Sequence, residues 1–443
     1  MRIHPNDLVM EEFYLSLGNE HRALLEHVAR CSGCRSRLDL LIQRSPDSSA
    51  PEGGANYEEI LDRGEQVLES RRAALDAERN EAPSRFVELM SCSQQQRDLL
   101  LRNSTRFHTW GVFELLIERS LEVAIRDPAA AEELARVALS VSDYLDYSYY
   151  GVQLVEDLRA RAWAHLGNSR RIRSDLFGAE EAFEKAEAHL KRGTREPLEK
   201  ALMLDLKASL RKDQRHFEEA LRLLHRAITV FLQCGHRHKA GRSMVNMANV
   251  HRNAGTIEQS IPLLFEAVEL INPEQEPRLL LCARHNLTLY LAESGRFREA
   301  QEMYRKTRPL YRDFTDAWTQ NRRRWVKGKI VRGLGQPGQA ESLFLAARDG
   351  FIAEGIPYDT ALVSLELATL YAEQGRTADL KRLAGEMVPI FSSLHIHREA
   401  LAALAFFRQA AEAERASLEV VTGVAAYLRR AQHDASLRFE APE

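Results

Sequence analysis

Residues 248–267 read "ANVHRNAGTIEQSIPLLFEA", and the pattern returns three more times at a fixed distance. "TLYLAESGRFREAQEMYRKT" (288–307), "GKIVRGLGQPGQAESLFLAA" (328–347) and "ATLYAEQGRTADLKRLAGEM" (368–387) align with it without gaps, and "ASLRKDQRHFEEALRLLHRA" (208–227) enters the same register. The period is 40 residues. Gly255, Gly295, Gly335 and Gly375 share one offset, with Arg215 as the departure. A small-residue column runs Ala208, Ala248, Thr288, Gly328 and Ala368. Another reads Ala220, Ser260, Ala300, Ala340 and Leu380. A bulky one follows: Leu224, Leu264, Tyr304, Phe344 and then Ala384.

These columns describe a helical hairpin. The glycine ends the first helix in a left-handed conformation that costs it no steric strain. The small column lets the two helices approach, and the bulky column is expected to fill the space between neighbouring hairpins. One hairpin cannot bury its apolar face alone, so the units must stack. The expected fold class is therefore all-α, an α-solenoid.

The repeat pattern resembles the tetratricopeptide repeat, with helices somewhat longer than the usual unit, over roughly residues 150 to 390. The family resemblance that these columns carry implies a right-handed α-solenoid. An earlier unit is read at 158–186, with Gly167 at its turn and a loop insertion after it. A further helix pair is read at 114–145, with Asp127-Pro128 at its turn, and a terminal capping pair at 397–432. The expected organisation is a small module at 1–43, a linker at 44–58, a helical connector at 59–104 and the solenoid at 105–435. A helix boundary is expected between 56–82 and 83–101.

Composition bounds the function. The chain has 443 residues, 28% of them charged, and a net charge of -3, so no global basic field marks a nucleic-acid binder. No apolar run is long enough to span a membrane. Five cysteines do not make a disulfide framework, and a cytoplasmic, reducing setting is expected. There is no Walker loop, GxGxxG, GxSxG or HExxH, so no enzyme is expected.

"LLEHVARCSGCRSRL" (24–38) places His27, Cys31 and Cys34 within eight residues. In a helix His27 and Cys31 share a face, and Gly33 permits a knuckle that returns Cys34 towards them. Zn²⁺ needs four ligands in a tetrahedron, and the fourth is sought upstream, at His4 or at His21. The competing readings are a reversible thiol pair and two core cysteines. A piece of about 40 residues rarely folds without a staple, which favours structural zinc, with thiolates open to oxidation. The motif resembles the zinc-finger module of anti-sigma factors, with its His-x3-Cys-x2-Cys signature, and His4 fills the upstream place. The resemblance implies a three-helix domain that binds a sigma factor, and hence a bacterial transcription regulator. Cys92, Cys234, Cys282 and the pair His395 and His397 are read as carrying no chemistry.

In tetratricopeptide proteins the first helix of each pair lines a concave groove. With the small column as position 8, the groove positions fall on Arg242, Asn249 and Arg252, then His285 with Asn286 beside it, then Arg322, Trp325, Lys329 and Arg332. The expectation is a positive, partly aromatic stripe that holds an extended acidic segment, with Arg322 and Lys329 exposed. The carboxylate clamp of some family members is matched at Asn249, Asn286 and Arg322, but not at Val245 and Val326. The expected protein is a non-enzymatic regulator or scaffold with a protein or peptide partner in its groove and a sigma factor at its zinc module. The alternative is a scaffold or accessory regulator of a neighbouring enzyme with a purely structural zinc. Neither membrane nor nucleic acid is an expected partner.

Overall fold

The structure is a computed structural model that describes residues 57–124, 126–393, 398–413, 416–431 and 437–440. The module at 1–43, most of the linker and the pair His395 and His397 lie outside the described residues. The chain divides into two compact units, Met1–Ala77 and Glu78–Glu443.

The described residues form helices and no strand. α1 (Tyr57–Met90) and α2 (Gln94–Asn103) come first. The expected boundary at Pro83 is absent, because Pro83 lies inside α1. A proline removes one backbone donor, and a long helix with many other bonds can carry that loss. Within the second unit, Glu78 accepts hydrogen bonds from the Gly111 amide (3.2 Å) and the Tyr150 hydroxyl (2.8 Å).

α3 (Trp110–Val123) and α4 (Pro128–Asp143) form the first hairpin. Asp127 caps α4 by accepting from the Ala130 amide, and Pro128 occupies its first turn, as the sequence implied. A single turn, α5 (Tyr147–Tyr150), leads to α6 (Val152–Ile172) and α7 (Leu176–Arg192).

Five hairpins then follow at the expected period. They are α8 (Pro197–Asp213) with α9 (Phe217–Gln233), α10 (Arg237–Asn253) with α11 (Ile257–Leu270), and α12 (Pro277–Glu293) with α13 (Phe297–Asp313). α14 (Ala317–Gly333) with α15 (Pro337–Ala353), and α16 (Pro357–Glu373) with α17 (Thr377–Ser393), complete them. α18 (Arg398–Glu412) and α19 (Leu418–Ala431) close the array.

The turn column behaves as its composition requires. Gly255 has φ +82°, and its turn closes with the Gly255 amide on the Arg252 carbonyl (3.1 Å) and the Thr256 amide on that of His251 (2.9 Å). Arg215 adopts the same turn at φ +63°, although it carries a side chain. So does Ser174, at φ +64°.

That last observation corrects the reading of the earlier unit. Gly167 is not a turn residue. It is buried inside α6, and the turn lies at Ser174, so there is no loop insertion. Gly167 instead belongs to the small column, 41 residues before Ala208. A Cβ placed on it would stand 3.0 Å from the ring of Phe183, its bulky counterpart in the same hairpin. Gly328 and Phe344 repeat the relationship at 2.5 Å. The bulky column therefore packs over the small column of its own hairpin. The expectation that it mainly fills space between hairpins is corrected to that extent.

Candidate functional site

The inner strip is built by the first helices of successive repeats. Its side chains are joined across repeats. Asn246 donates to the Ser209 hydroxyl at 3.0 Å. Asn249 accepts from the Asn286 amide (3.1 Å) and from the Tyr290 hydroxyl (2.9 Å). The two asparagines that matched the clamp are thus bonded to each other. Val245 and Val326, where the clamp requires basic residues, are buried.

His285 is buried at the floor of the strip. The Arg322 Nε–H donates to its Nε2 at 3.5 Å, so the ring proton sits on Nδ1 and is donated to the Tyr311 hydroxyl at 2.7 Å. Burial, and then the charges of Arg322 and Arg252, push its pKa well below 6.5, which keeps the ring neutral. The Arg322 guanidinium lies 4.8 Å over the ring of Trp318. Trp325 meets Phe351 edge to face at 6.1 Å and leaves its indole N–H without a partner among the described residues.

The strip is not uniformly positive, which corrects the sequence reading. Arg242 pairs with Glu276. Arg252 stands 3.5 Å from Glu293 and 5.4 Å over the ring of Tyr290. Lys329 pairs with Glu366 and lies 3.9 Å from Glu293. Arg332 reaches Glu366 at 3.3 Å and Glu373 at 2.6 Å. Lys329 is not exposed either: only 11% of its side chain is accessible. Arg322 alone among these groove cations has no carboxylate partner among the described residues. It is half-buried.

Sequence reasoning missed the acids that match the cations. Glu293 and Glu373 share one register, at the last position of the first helix, and that repetition was a usable signal. Glu366 falls where the preceding repeats place Asn286 and Val326, so its register gave no warning. Burial pushes the carboxyl of Glu366 up, but Lys329, Arg429 and Arg332 outweigh it and hold the pKa below 4.5. Arg429 comes from α19, 63 residues away, and no periodicity could have found it.

α19 packs against α16, whose residues from Asp359 to Tyr371 are all buried. Leu362 and Leu365 take the register that Arg322 and Trp325 occupy one repeat earlier, which gives α19 an apolar seat. Beside it a cleft of about 490 Å³ is lined by Glu293, Lys329, Arg332, Glu366, Glu373 and Arg429. Its carboxylates and cations balance, so it holds no net charge to attract a simple ion. No helix among the described residues is long and apolar enough to cross a membrane.

Residues 239–313 match the tetratricopeptide repeat family model. No curated protein matches the chain in sequence. Among solved structures, a Rap protein complexed with competence and sporulation factor superposes with a TM-score of 0.51 at 14% identity, covering 73% of this chain and 88% of that one. Aspartyl phosphate phosphatase F from Bacillus subtilis superposes with a TM-score of 0.50 at 11% identity, covering 89% of this chain and 96% of that one. At such identities the likeness is one of fold. Together these findings support tetratricopeptide repeats in this chain and a helical-repeat architecture shared with the Rap proteins.

Proposed function

We propose that this chain is a regulatory adaptor whose repeats hold a protein or peptide segment along the inner faces of α10, α12 and α14. The observation that carries the reading is Arg322, a half-buried groove guanidinium without a carboxylate partner among the described residues. A carboxylate from a ligand completes its charge with hydrogen bonds that no described carboxylate supplies. The asparagines beside it suit an extended backbone, and the aromatic faces of Trp318 and Trp325 suit apolar side chains. Repeats of this type support a protein-binding role, and one Rap protein of similar fold was solved in complex with competence and sporulation factor.

The ligand is an extended segment with one acidic residue, because the other groove cations already have acids of their own. The test is a library of random peptides screened against the full chain. Enriched sequences should carry an acidic residue and bind Arg322→Gln about tenfold more weakly. Absence of enrichment, or equal affinity for the variant, overturns the reading.

The second part of the proposal concerns residues 1–43. His27, Cys31 and Cys34, with His4 or His21, hold a structural zinc, and the module so stapled contacts a second regulator, a sigma factor by the resemblance. The setting is the reducing cytoplasm. Metal analysis of the full chain should give one zinc per chain, lost in Cys31→Ser. A chain purified without chelator or oxidant that carries no zinc ends this part.

A further inference from the structure

Between Arg296 and Arg332 the chain carries twelve Lys and Arg against four Asp and Glu. Elsewhere it carries forty-nine against sixty, since the totals are 61 and 64. An acidic protein has therefore gathered a surplus of eight positive charges into two consecutive helices, α13 and α14.

The helical register concentrates that charge. Arg298, Arg305 and Arg312 are seven apart on one face of α13, with Arg308 beside them, and all four are exposed. Arg323 and Lys327, four apart, lie on the face of α14 that meets α13. Gln320 on that face donates to the Tyr311 and Phe314 carbonyls at the end of α13, at 2.8 and 2.7 Å. Tyr304 of α13 stands between the two sets. Burial raises its pKa, and Arg323 and Arg308 act against that rise. The ridge turns away from the groove, which α14 lines with Arg322, Trp325 and Lys329.

Compensation is partial here: Arg296 and Lys306 pair with Glu299 and Glu302, and Lys329 and Arg332 with Glu366 and Glu373. Among the described residues Arg298, Arg308, Arg312, Arg323 and Lys327 pair with no carboxylate, and Arg305 reaches only the Gln301 amide oxygen at 3.2 Å. Other arginines of the array are matched: Arg171 with Asp213, Arg348 with Glu386 and Arg376 with Glu341. Unmatched like charges repel one another and destabilise the compact state. They also create a local positive potential that steers and holds an acidic partner.

We propose that the ridge of α13, with the adjoining edge of α14, docks an acidic face of a second protein, at a site separate from the peptide groove. An acidic protein face is favoured over nucleic acid by two observations. The ridge is one helix long, about 25 Å, too short to follow a duplex backbone at many phosphates. The acidic remainder of the chain also repels any polyanion that extends past it, whereas a compact acidic patch meets only the ridge.

The probes are fluorescent polyglutamate of about seven residues, about 24 Å when extended and so no longer than the ridge, and a duplex of about twenty base pairs that extends past it, titrated against the full chain at about 50 mM salt. Polyglutamate should bind more tightly than the duplex and weaken as salt rises. The triple variant Arg305→Gln/Arg308→Gln/Arg312→Gln should bind it about tenfold more weakly, with an unchanged circular dichroism spectrum because all three sites are exposed. Arg322→Gln should lose clearly less affinity than either ridge variant, because the groove offers polyglutamate one unpaired cation and the ridge several, which separates this site from the groove. Arg323→Gln/Lys327→Gln serves as a second variant and should lose affinity too. No binding, undiminished binding by both ridge variants, a loss in Arg322→Gln as large as theirs, or tighter binding of the duplex overturns the proposal.

Discussion

Gly328 lies against the ring of Phe344, sixteen residues further along the same hairpin, so closely that an added Cβ would stand 2.5 Å from the ring. Gly167 and Phe183 repeat the contact with more room, at 3.0 Å. Gly328→Ala should therefore destabilise the protein, since overpacking costs about 1–3 kcal/mol and exceeds the roughly 1 kcal/mol gained by removing a glycine from a helix. Gly167→Ala should be close to neutral. Urea midpoints of the two variants check the contrast, and equal midpoints would contradict the packing described.

Arg215 holds the left-handed position that glycine fills in the four following repeats. Its substitution by glycine should stabilise the chain by about 0.5–1 kcal/mol, the strain relieved being partly offset by the entropy of the unfolded glycine. The guanidinium also lies 5.5 Å over the Phe217 ring, which trims the gain. A fall in thermal midpoint for Arg215→Gly would show that the side-chain contacts outweigh the strain.

Glu366 gathers Lys329, Arg332 and Arg429 around a side chain only 7% exposed. Glu366→Gln should cost on the order of 3 kcal/mol, because Lys329 stays buried without its main counter-charge. The double change Glu366→Leu/Lys329→Met should recover much of that loss, as removing both charges removes both desolvation penalties. The folded pKa of Glu366 lies below the ordinary 4.5, so its contribution is complete above pH 4.5 and fades as pH falls through the lowered value. Glu366→Gln should flatten that acid limb in a pH series of urea melts.

His285 gives a second pH dependence, in a higher window. Its folded pKa lies well below 6.5, so the unfolded chain takes up the proton first. Stability is complete above pH 6.5 and declines as pH drops below it. His251 is depressed by burial in the same direction and adds to the decline. The difference in melting temperature between pH 7.5 and pH 5.5 should therefore shrink, but not vanish, in His285→Gln. An unchanged difference would mean that His285 takes up its proton as readily in the folded state as in the unfolded chain.

The period of 40 carried much of the architecture. Turn position, small column and bulky column reflect contacts within one hairpin, and steric needs that recur with every hairpin leave a periodic trace in the chain. The same logic places Gly167 correctly once it is compared with Ala208 rather than with Gly255. The local rule at Pro83 misled because the cost of a proline depends on how many other bonds hold the helix.

The electrostatics of the groove left a fainter trace, the shared register of Glu293 and Glu373. Asn249 with Asn286, Arg252 with Glu293 and Lys329 with Glu366 are bonds between helices of different repeats, and Arg429 meets Glu366 from a capping helix outside the period. A register tells which side chains face inward, and it did so for Arg322 and Lys329 alike. Only the placement of one helix against the next settles that Lys329 is neutralised in a buried pair while Arg322 meets no carboxylate among the described residues, because charges pair through space and not along the chain.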